Sequence, residues 1–259
     1  MRAPVEISSR DNPLLVRLRK LARTPGAYRK LGAVWLEGEH LCQALLARGR
    51  QPEQSLISDS AWRQPALRAL AEAAPHTARV ADELFAGVSG LEAPAGIGFV
   101  IEAPLPGAVQ AGVASVVLDR LQDAGNAGSI LRSASALGFK QVVALEGSVA
   151  LWSSKVLRAG MGAHLGLHLI EGAVEASLDD LQLPLLAGSS HAATALGDIA
   201  LPFPCAWVFG HEGQGVAATV LARCTHTLRI PQPGGEESLN VAAAAAICLY
   251  ATHGSGARR

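Results

Sequence analysis

No two cysteines in this chain stand close together. The four, Cys42, Cys205, Cys224 and Cys248, are widely spaced and form no C-x-x-C pair, which removes zinc-ribbon and dithiol redox readings. Cys205 and Cys248 lie in apolar segments, so reduced core thiols are expected. No apolar run approaches the span of a membrane helix. The N-terminal region, with charges at Arg10 and Asp11, lacks a signal-peptide core. A soluble, cytoplasmic protein with no membrane contact is expected. His164 and His168 have i, i+4 spacing, but the glutamate of a zinc-protease motif is missing and HLGLHLI alternates like a strand. No metal site is expected there. The run Gly160 to Gly166, GMGAHLG, has one residue too many for a dinucleotide fingerprint and follows the helix-like WSSKVLRA where a strand is required. A nicotinamide site is excluded on that ground.

What is present is concentrated in three segments. In VVLDRLQDAGNAGSILRSASALGFKQVVAL, residues 113 to 118 read as a buried strand and Asp119 to Gly125 as a polar loop. Ala127 to Leu137 reads as a helix with Ile130, Leu131, Ala134 and Leu137 on its apolar side, and Gln141 to Leu145 as a second strand. Asn126 is placed to cap the helix, and Arg132 falls almost two turns further on. In CAWVFGHEGQGV, a strand from Cys205 to Phe209 meets Gly210 and then Glu212, flanked by Gly213 and Gly215. Glycines there permit close approach of backbone to a ligand, at the strand end where open α/β sheets bind one. In THTLRIPQPGGEESLNVAAAAAICLY, a strand ends near Ile230, and the loop that follows cannot continue it. The helix from Val241 to Ala251, capped by Ser238 or Asn240, is apolar throughout and is expected to be buried on most sides. Each segment alone is also consistent with an ordinary turn or a capped helix.

Together they resemble the signature of the SpoU, or TrmH-like, branch of the SPOUT RNA methyltransferases. That signature runs N-x-G-x-x-x-R, G-x-E-G-x-G and I-P-…-S-L-N-V, matched in order by NAGSILR at Asn126 to Arg132, GHEGQG at Gly210 to Gly215 and IPQPGGEESLNV at Ile230 to Val241. Lys155 to Leu169 looks like the family's connecting helix and strand, with Gly160 where many members carry a small hydroxyl residue. The resemblance implies an α/β fold in which a parallel sheet over residues 106 to 259 carries a C-terminal trefoil knot. Pattern reading alone would not propose a knot. It implies S-adenosylmethionine as methyl donor, held by backbone near Gly210, Ile230 and Leu239, a homodimer, and transfer to the 2′-hydroxyl of an RNA ribose without a metal.

The chain is long enough for two modest cores: it has 259 residues, 49% of them hydrophobic. The Glu102 to Gly112 stretch, with two prolines and two glycines, separates residues 1 to 105 from the rest. Net charge is zero, yet residues 1 to 50 hold ten Lys or Arg against four acids. Arg10, Arg17, Arg19, Lys20, Arg23, Arg29 and Lys30 fall on and around one short helix, a pattern that suits phosphate contacts as well as a solvated face. ISSRDNPLLVRLRKL and WLEGEHLCQALL also resemble the smaller substrate-binding domain that many SpoU-type enzymes carry, which is similar to small ribosomal proteins. That similarity favours RNA contact through Arg10, Asn12, Arg17, Arg19 and Lys20, with ribosomal RNA ahead of transfer RNA as substrate.

The implied catalytic set is Asn126, Arg132, Glu212, Ser238 and Asn240. Arg132 is expected to bind the reacting phosphate or stabilise the developing alkoxide. Asn126 is expected to orient Arg132 or the ribose, and Glu212 to pair with Arg132 or complement the sulfonium charge. Ser238 and Asn240 would hold polar atoms of the donor or the nucleotide. The rival reading is a non-catalytic RNA-binding protein on the same fold, and the joint retention of all five residues argues against it.

Overall fold

The structure is a computed structural model that describes residues 3–105, 107–235 and 238–256, with side chains as far as 252. The chain forms two compact units, one built from the chain up to Leu105 together with Trp152–Leu165, the other from the remainder.

In the first unit the strands are β1 (Val5–Ile7), β2 (Ala33–Glu37), β3 (Gln54–Ser58), β4 (Thr77–Val80) and β5 (Ile97–Glu102). They form one sheet in the order β1-β4-β3-β5-β2, parallel over β1, β4 and β3 and antiparallel where β5 meets β3 and β2. Its helices are α1 (Pro13–Arg23), α2 (Ala27–Leu31), α3 (Glu39–Leu46), α4 (Asp59–Trp62), α5 (Pro65–Ala71) and α6 (Asp82–Val88). The N-terminus of α1 is set by Asn12, whose Oδ1 accepts from the Leu14 N–H at 2.9 Å, with Pro13 in the first turn. Leu15, Leu18 and Leu21 are its buried stripe, so the basic residues are left toward solvent.

The second unit is built on β6 (Ser115–Leu118), α7 (Ala124–Ala136) and β7 (Gln141–Leu145). Next in the chain comes α8 (Ser154–Gly160), which packs with the first unit: its Ser154 hydroxyl donates to the Leu21 carbonyl at 3.2 Å. The second unit resumes with β8 (His168–Ala173), β9 (Leu185–Gly188), β10 (Thr194–Ala195), β11 (Ala206–Phe209), α9 (Ala218–Leu221), β12 (His226–Arg229) and α10 (Val241–Gly256). All seven strands are parallel, in the order β10-β12-β9-β11-β6-β7-β8. β6, β7 and β11 are buried at every residue, as expected of strands covered on both faces. Burying side chains such as Val117, Val143 and Val208 contributes roughly 1.5–3 kcal/mol each.

Two expectations are corrected here. His164 is not in a strand: Ala163–Gly166 is a 3-10 turn, and the strand begins only at His168. Gly162, at φ 82°, accepts the Leu165 N–H on its carbonyl at 3.2 Å, so the chain turns before pairing with β7 begins. The last helix is not buried on most sides. Ala245, Cys248, Leu249 and Thr252 face inward, while Ala243, Ile247 and Tyr250 are exposed, the last two at 41% and 68%. The inward face packs against α7 and β11, where Trp207 Nε1 donates to Thr252 Oγ1 at 2.8 Å.

Burial pushes the thiols of Cys205 and Cys248 up to about 12 and that of Cys224 up to about 11, and carries that of Cys42 higher still. All four are free thiols, and a thiol held in its protonated form is a poor nucleophile. Among the described residues no helix is long and apolar enough to cross a membrane, and no group of three or more His, Cys, Asp or Glu could hold a metal ion.

Candidate active site

The site is assembled where parallel strands end. β6 and β11 are neighbours in register, with Leu118 opposite Phe209, so the loops that follow them leave the sheet side by side. Asp119, at the end of β6, donates its N–H to the Phe209 carbonyl at 2.9 Å and is 2% exposed. A buried carboxylate must be paired. It takes the Arg120 guanidinium on both oxygens, at 3.0 and 3.2 Å, and the Ala217 N–H at 2.6 Å.

The helix α7 starts earlier than the sequence suggests. Asp123, not Asn126, is its N-cap: Asp123 Oδ1 accepts from the Asn126 N–H at 2.7 Å, and Ala124 is the first helical residue. Aspartate competes well for this position, and an acceptor three residues ahead of an N–H meets the geometry. The consequence is chemical, because the Asn126 side chain is released from capping and projects from the first turn.

Its amide nitrogen donates to Glu212 Oε1 at 3.1 Å, and its Oδ1 accepts from Asn240 Nδ2 at 3.0 Å. Asn240 in turn caps α10, its Oδ1 accepting from the N–H groups of Ala242 at 2.9 Å and Ala243 at 3.3 Å. Of the two residues expected to cap that helix, Asn240 does so. Both amide orientations follow from chemistry, since the carboxylate only accepts and the helix N–H groups only donate.

Glu212 sits on a tight loop in which His211 and Gly215 exchange backbone hydrogen bonds at 3.0 and 2.8 Å. Gly210 was expected to let backbone approach a ligand. The space its missing Cβ would occupy is filled instead by the Gly215–Val216 peptide. Glu212 Oε1 also accepts from the Asp123 N–H at 3.1 Å, and Oε2 from the Gln122 N–H at 3.3 Å. The carboxylate therefore rests at the positive end of α7. Partial burial pushes its pKa up, but hydrogen bonds from Asn126 and from the backbone at Asp123 and Gln122 outweigh this and hold it below the ordinary value.

The expected Glu212–Arg132 pair does not form. Arg132 lies six residues along α7 from Asn126, about 9 Å of helix rise, while the Glu212 oxygens are taken up at the helix start. Arg132 is exposed, and no hydrogen bond or ion pair engages its guanidinium among the described residues. Ile230 follows β12 half-buried, and Ser238 and Leu239 are exposed just ahead of Asn240. Glu236 and Glu237, in the same loop, lie outside the described residues.

Among the basic residues of the first unit, Arg17 donates to the Leu31 carbonyl at 3.1 Å and Arg19 to the Arg10 carbonyl at 2.7 Å. Each still presents other N–H groups, and Arg10 and Lys20 are exposed. Asn12 is committed to its cap. Asp119, Arg120, Gln122 and Asp123 were read only as a polar loop. Their alternation of acid, base and amide straight after a buried strand was the available signal.

The SpoU rRNA Methylase family model matches residues 114–250. The chain is 34% identical to an uncharacterized tRNA/rRNA methyltransferase of Synechocystis sp., over 94% of this chain and 92% of that one. It is 28% identical to the 23S rRNA (guanosine(2553)-2′-O)-methyltransferase RlmP of Bacillus subtilis, over 96% and 99% respectively. A solved RNA 2′-O ribose methyltransferase superposes with a TM-score of 0.81 at 26% identity, over 98% of this chain and all of that one, 100%. A family model covering all three motif segments, and relatives matched nearly end to end, show that this chain belongs to the SpoU rRNA methylase family.

Proposed function

We propose that this protein transfers the methyl group of S-adenosylmethionine to a ribose 2′-hydroxyl of RNA, with ribosomal RNA the first substrate to test and transfer RNA the second. The observation that carries this is Asn126, whose single amide joins the Glu212 loop to the start of α10 and so gathers the three motif segments. The names of relatives as similar as RlmP point to the same reaction.

The residues present suit the donor. Glu212 is an exposed anion fit to face a sulfonium cation, and a Cβ at Gly215, Gly234 or Gly235 would meet nothing within 4 Å, so both loops have open space at those glycines. Backbone near Gly210, Ile230 and Leu239 lines that space in this reading, and Ser238 offers a hydroxyl to the donor or the nucleotide. S-adenosylmethionine supplies a methyl group whose bond to sulfur breaks as the bond to the ribose oxygen forms, leaving a neutral thioether. Arg132, whose guanidinium has no partner among the described residues, binds the substrate phosphate or stabilises the oxygen as its proton leaves to solvent. Asn126 holds the ribose against that arginine by geometry rather than by proton transfer.

The second unit is then the knotted catalytic domain, and the first, with Arg10, Arg17, Arg19 and Lys20 around α1, contributes phosphate contacts. Exposed Ala243, Ile247 and Tyr250 on α10 suit an isologous contact between two copies. Isothermal titration tests the donor directly. Saturable binding of S-adenosylmethionine, weakened in Glu212→Gln and with no response to NAD, is expected. Absence of any donor binding would overturn the proposal.

A further inference from the structure

The second unit places two arginines in the first motif segment, and their surroundings differ. Arg132 is exposed and unengaged among the described residues, whereas the guanidinium of Arg120 is occupied. Its Nε and Nη2 hold the two oxygens of Asp119 at 3.0 and 3.2 Å, its Nη1 donates to Gln214 Oε1 at 3.1 Å, and Nη2 reaches the Gly215 carbonyl at 3.5 Å. Asp119, on the same unit, receives the Ala217 N–H at 2.6 Å.

The segment they hold is otherwise tied down by the Glu212 carboxylate at Asn126, Asp123 and Gln122 and by the Gly215–Val216 peptide packed on Gly210. Residues 212–215 read Glu-Gly-Gln-Gly, are exposed and bury no apolar side chain. Within the loop, the His211–Gly215 bridge is joined by the Gly213 N–H, which donates to His211 Nδ1 at 3.0 Å. Arg120 also adopts a left-handed backbone, φ 55°, which a long side chain occupies only at a cost. The Gln122 amide donates to the Arg120 carbonyl at 3.0 Å and holds that turn in place. A strained residue whose side chain spans three partners has the character of a fixture rather than of a solvated cation.

We infer that Asp119 and Arg120 are positioning residues: they clamp the 211–217 loop onto the end of β6, so that Glu212 stays within reach of Asn126 and the start of α7. Both groups are engaged by protein atoms. Asp119 satisfies the backbone where the loop leaves, at Ala217, and Arg120 fixes the loop at Gln214 and Gly215. Glu212, between the His211 bridge point and these anchors, has its direction set. A hydrogen-bonding constellation of this kind loses function when its support loosens by a fraction of an ångström.

The clamp itself does not depend on the methyl-transfer reading; only its effect on turnover does. Amide hydrogen exchange on the full chain tests it in Arg120→Ala and Arg120→Lys, with Arg223→Ala as the control, because Arg223 pairs with Asp179 elsewhere in the same unit. Exchange at Gly215 and Ala217 should rise about tenfold in both Arg120 variants and not in the control, as for loss of a charge-assisted hydrogen bond. The lysine variant keeps the charge but cannot serve Asp119, Gln214 and Gly215 together, so it should not restore protection. It also keeps the test readable if the alanine variant fails to fold. Turnover should fall about tenfold with the KM for RNA unchanged. Faster exchange without turnover even in the wild type would support the clamp and count against methyl transfer alone. Unchanged exchange at both amides would overturn the inference, as would a rise in the KM for RNA with the loop still protected, which would make Arg120 a phosphate ligand.

Discussion

Asn240 donates its side-chain N–H to Asn126 Oδ1 at 3.0 Å across 114 residues of sequence, and each of the two asparagines stands at the start of a helix. Asn240 caps its helix, while Asn126 is excused from capping by Asp123. One amide is thereby structural and the other available to chemistry, with Glu212 fixing which way it points.

Replacing Asn126 by Ala removes both links at once. Turnover should fall by about 100-fold, in the range seen when a positioning group is lost. Stability should fall by only about 1 kcal/mol, the worth of a partly exposed hydrogen bond. Steady-state kinetics with parallel urea unfolding measures both. Full activity in this variant would remove Asn126 from the site.

Arg132→Ala should behave differently. The side chain is exposed and makes no ion pair among the described residues, so the unfolding free energy should stay within about 0.5 kcal/mol of wild type. Methyl transfer should drop by about 1000-fold, as expected for loss of a group that stabilises developing charge. Arg132→Lys should not restore it, because a point charge lacks the planar fork. A variant with normal rate would show that Arg132 plays no part.

Asp123→Ala tests the corrected helix start. Loss of the cap should cost about 1 kcal/mol in urea unfolding. Asn126→Ala made in that background should cost less than it does alone, since an uncapped first turn no longer holds the amide against Glu212. Strict additivity would contradict the coupling.

The Glu212 carboxyl titrates below its ordinary value in the folded chain, so the folded state favours the ionised form. The stability this confers is present above the unfolded pKa of about 4.3 and is lost as pH falls through the lower folded value. Wild type should therefore exceed Glu212→Gln in thermal midpoint at neutral pH, and the difference should shrink in acid. A gap that widens as pH falls would mean the carboxyl is stabilised in its protonated form.

The positions of the site were legible because strand ends are legible. VVLD, CAWVF and THTLRI each stop at a polar, glycine-bearing turn, and parallel pairing of β6 with β11 brings two of those turns together. The partnerships were not legible. Whether Asp123 or Asn126 caps α7 depends on backbone dihedrals that differ over only a few residues, and Glu212 takes the N–H groups of Gln122 and Asp123, just ahead of the helix, rather than Arg132 six residues beyond Asn126. Asp119 binds Ala217 from 98 residues away, beyond any local pattern. The segment WSSKVLRA reads as helical wherever it packs, so the place of Ser154–Gly160 in the first unit could come only from the fold. An all-alanine run such as Ala242 to Ala246 likewise does not say which face meets the core.

The exposed face of α10 makes a further test. Sedimentation of the wild type at micromolar concentration should give a dimer, and Ile247→Glu with Tyr250→Glu should give a monomer. A wild-type monomer would contradict self-association through this face.

The most direct measurement is methyl transfer from labelled S-adenosylmethionine to separated, unmodified ribosomal and transfer RNA, with alkali-resistant linkages mapped afterwards. Label at one alkali-resistant linkage in ribosomal RNA, absent with Arg132→Ala, is the predicted result. Donor binding without label in either RNA would contradict the account and favour a non-catalytic RNA-binding role.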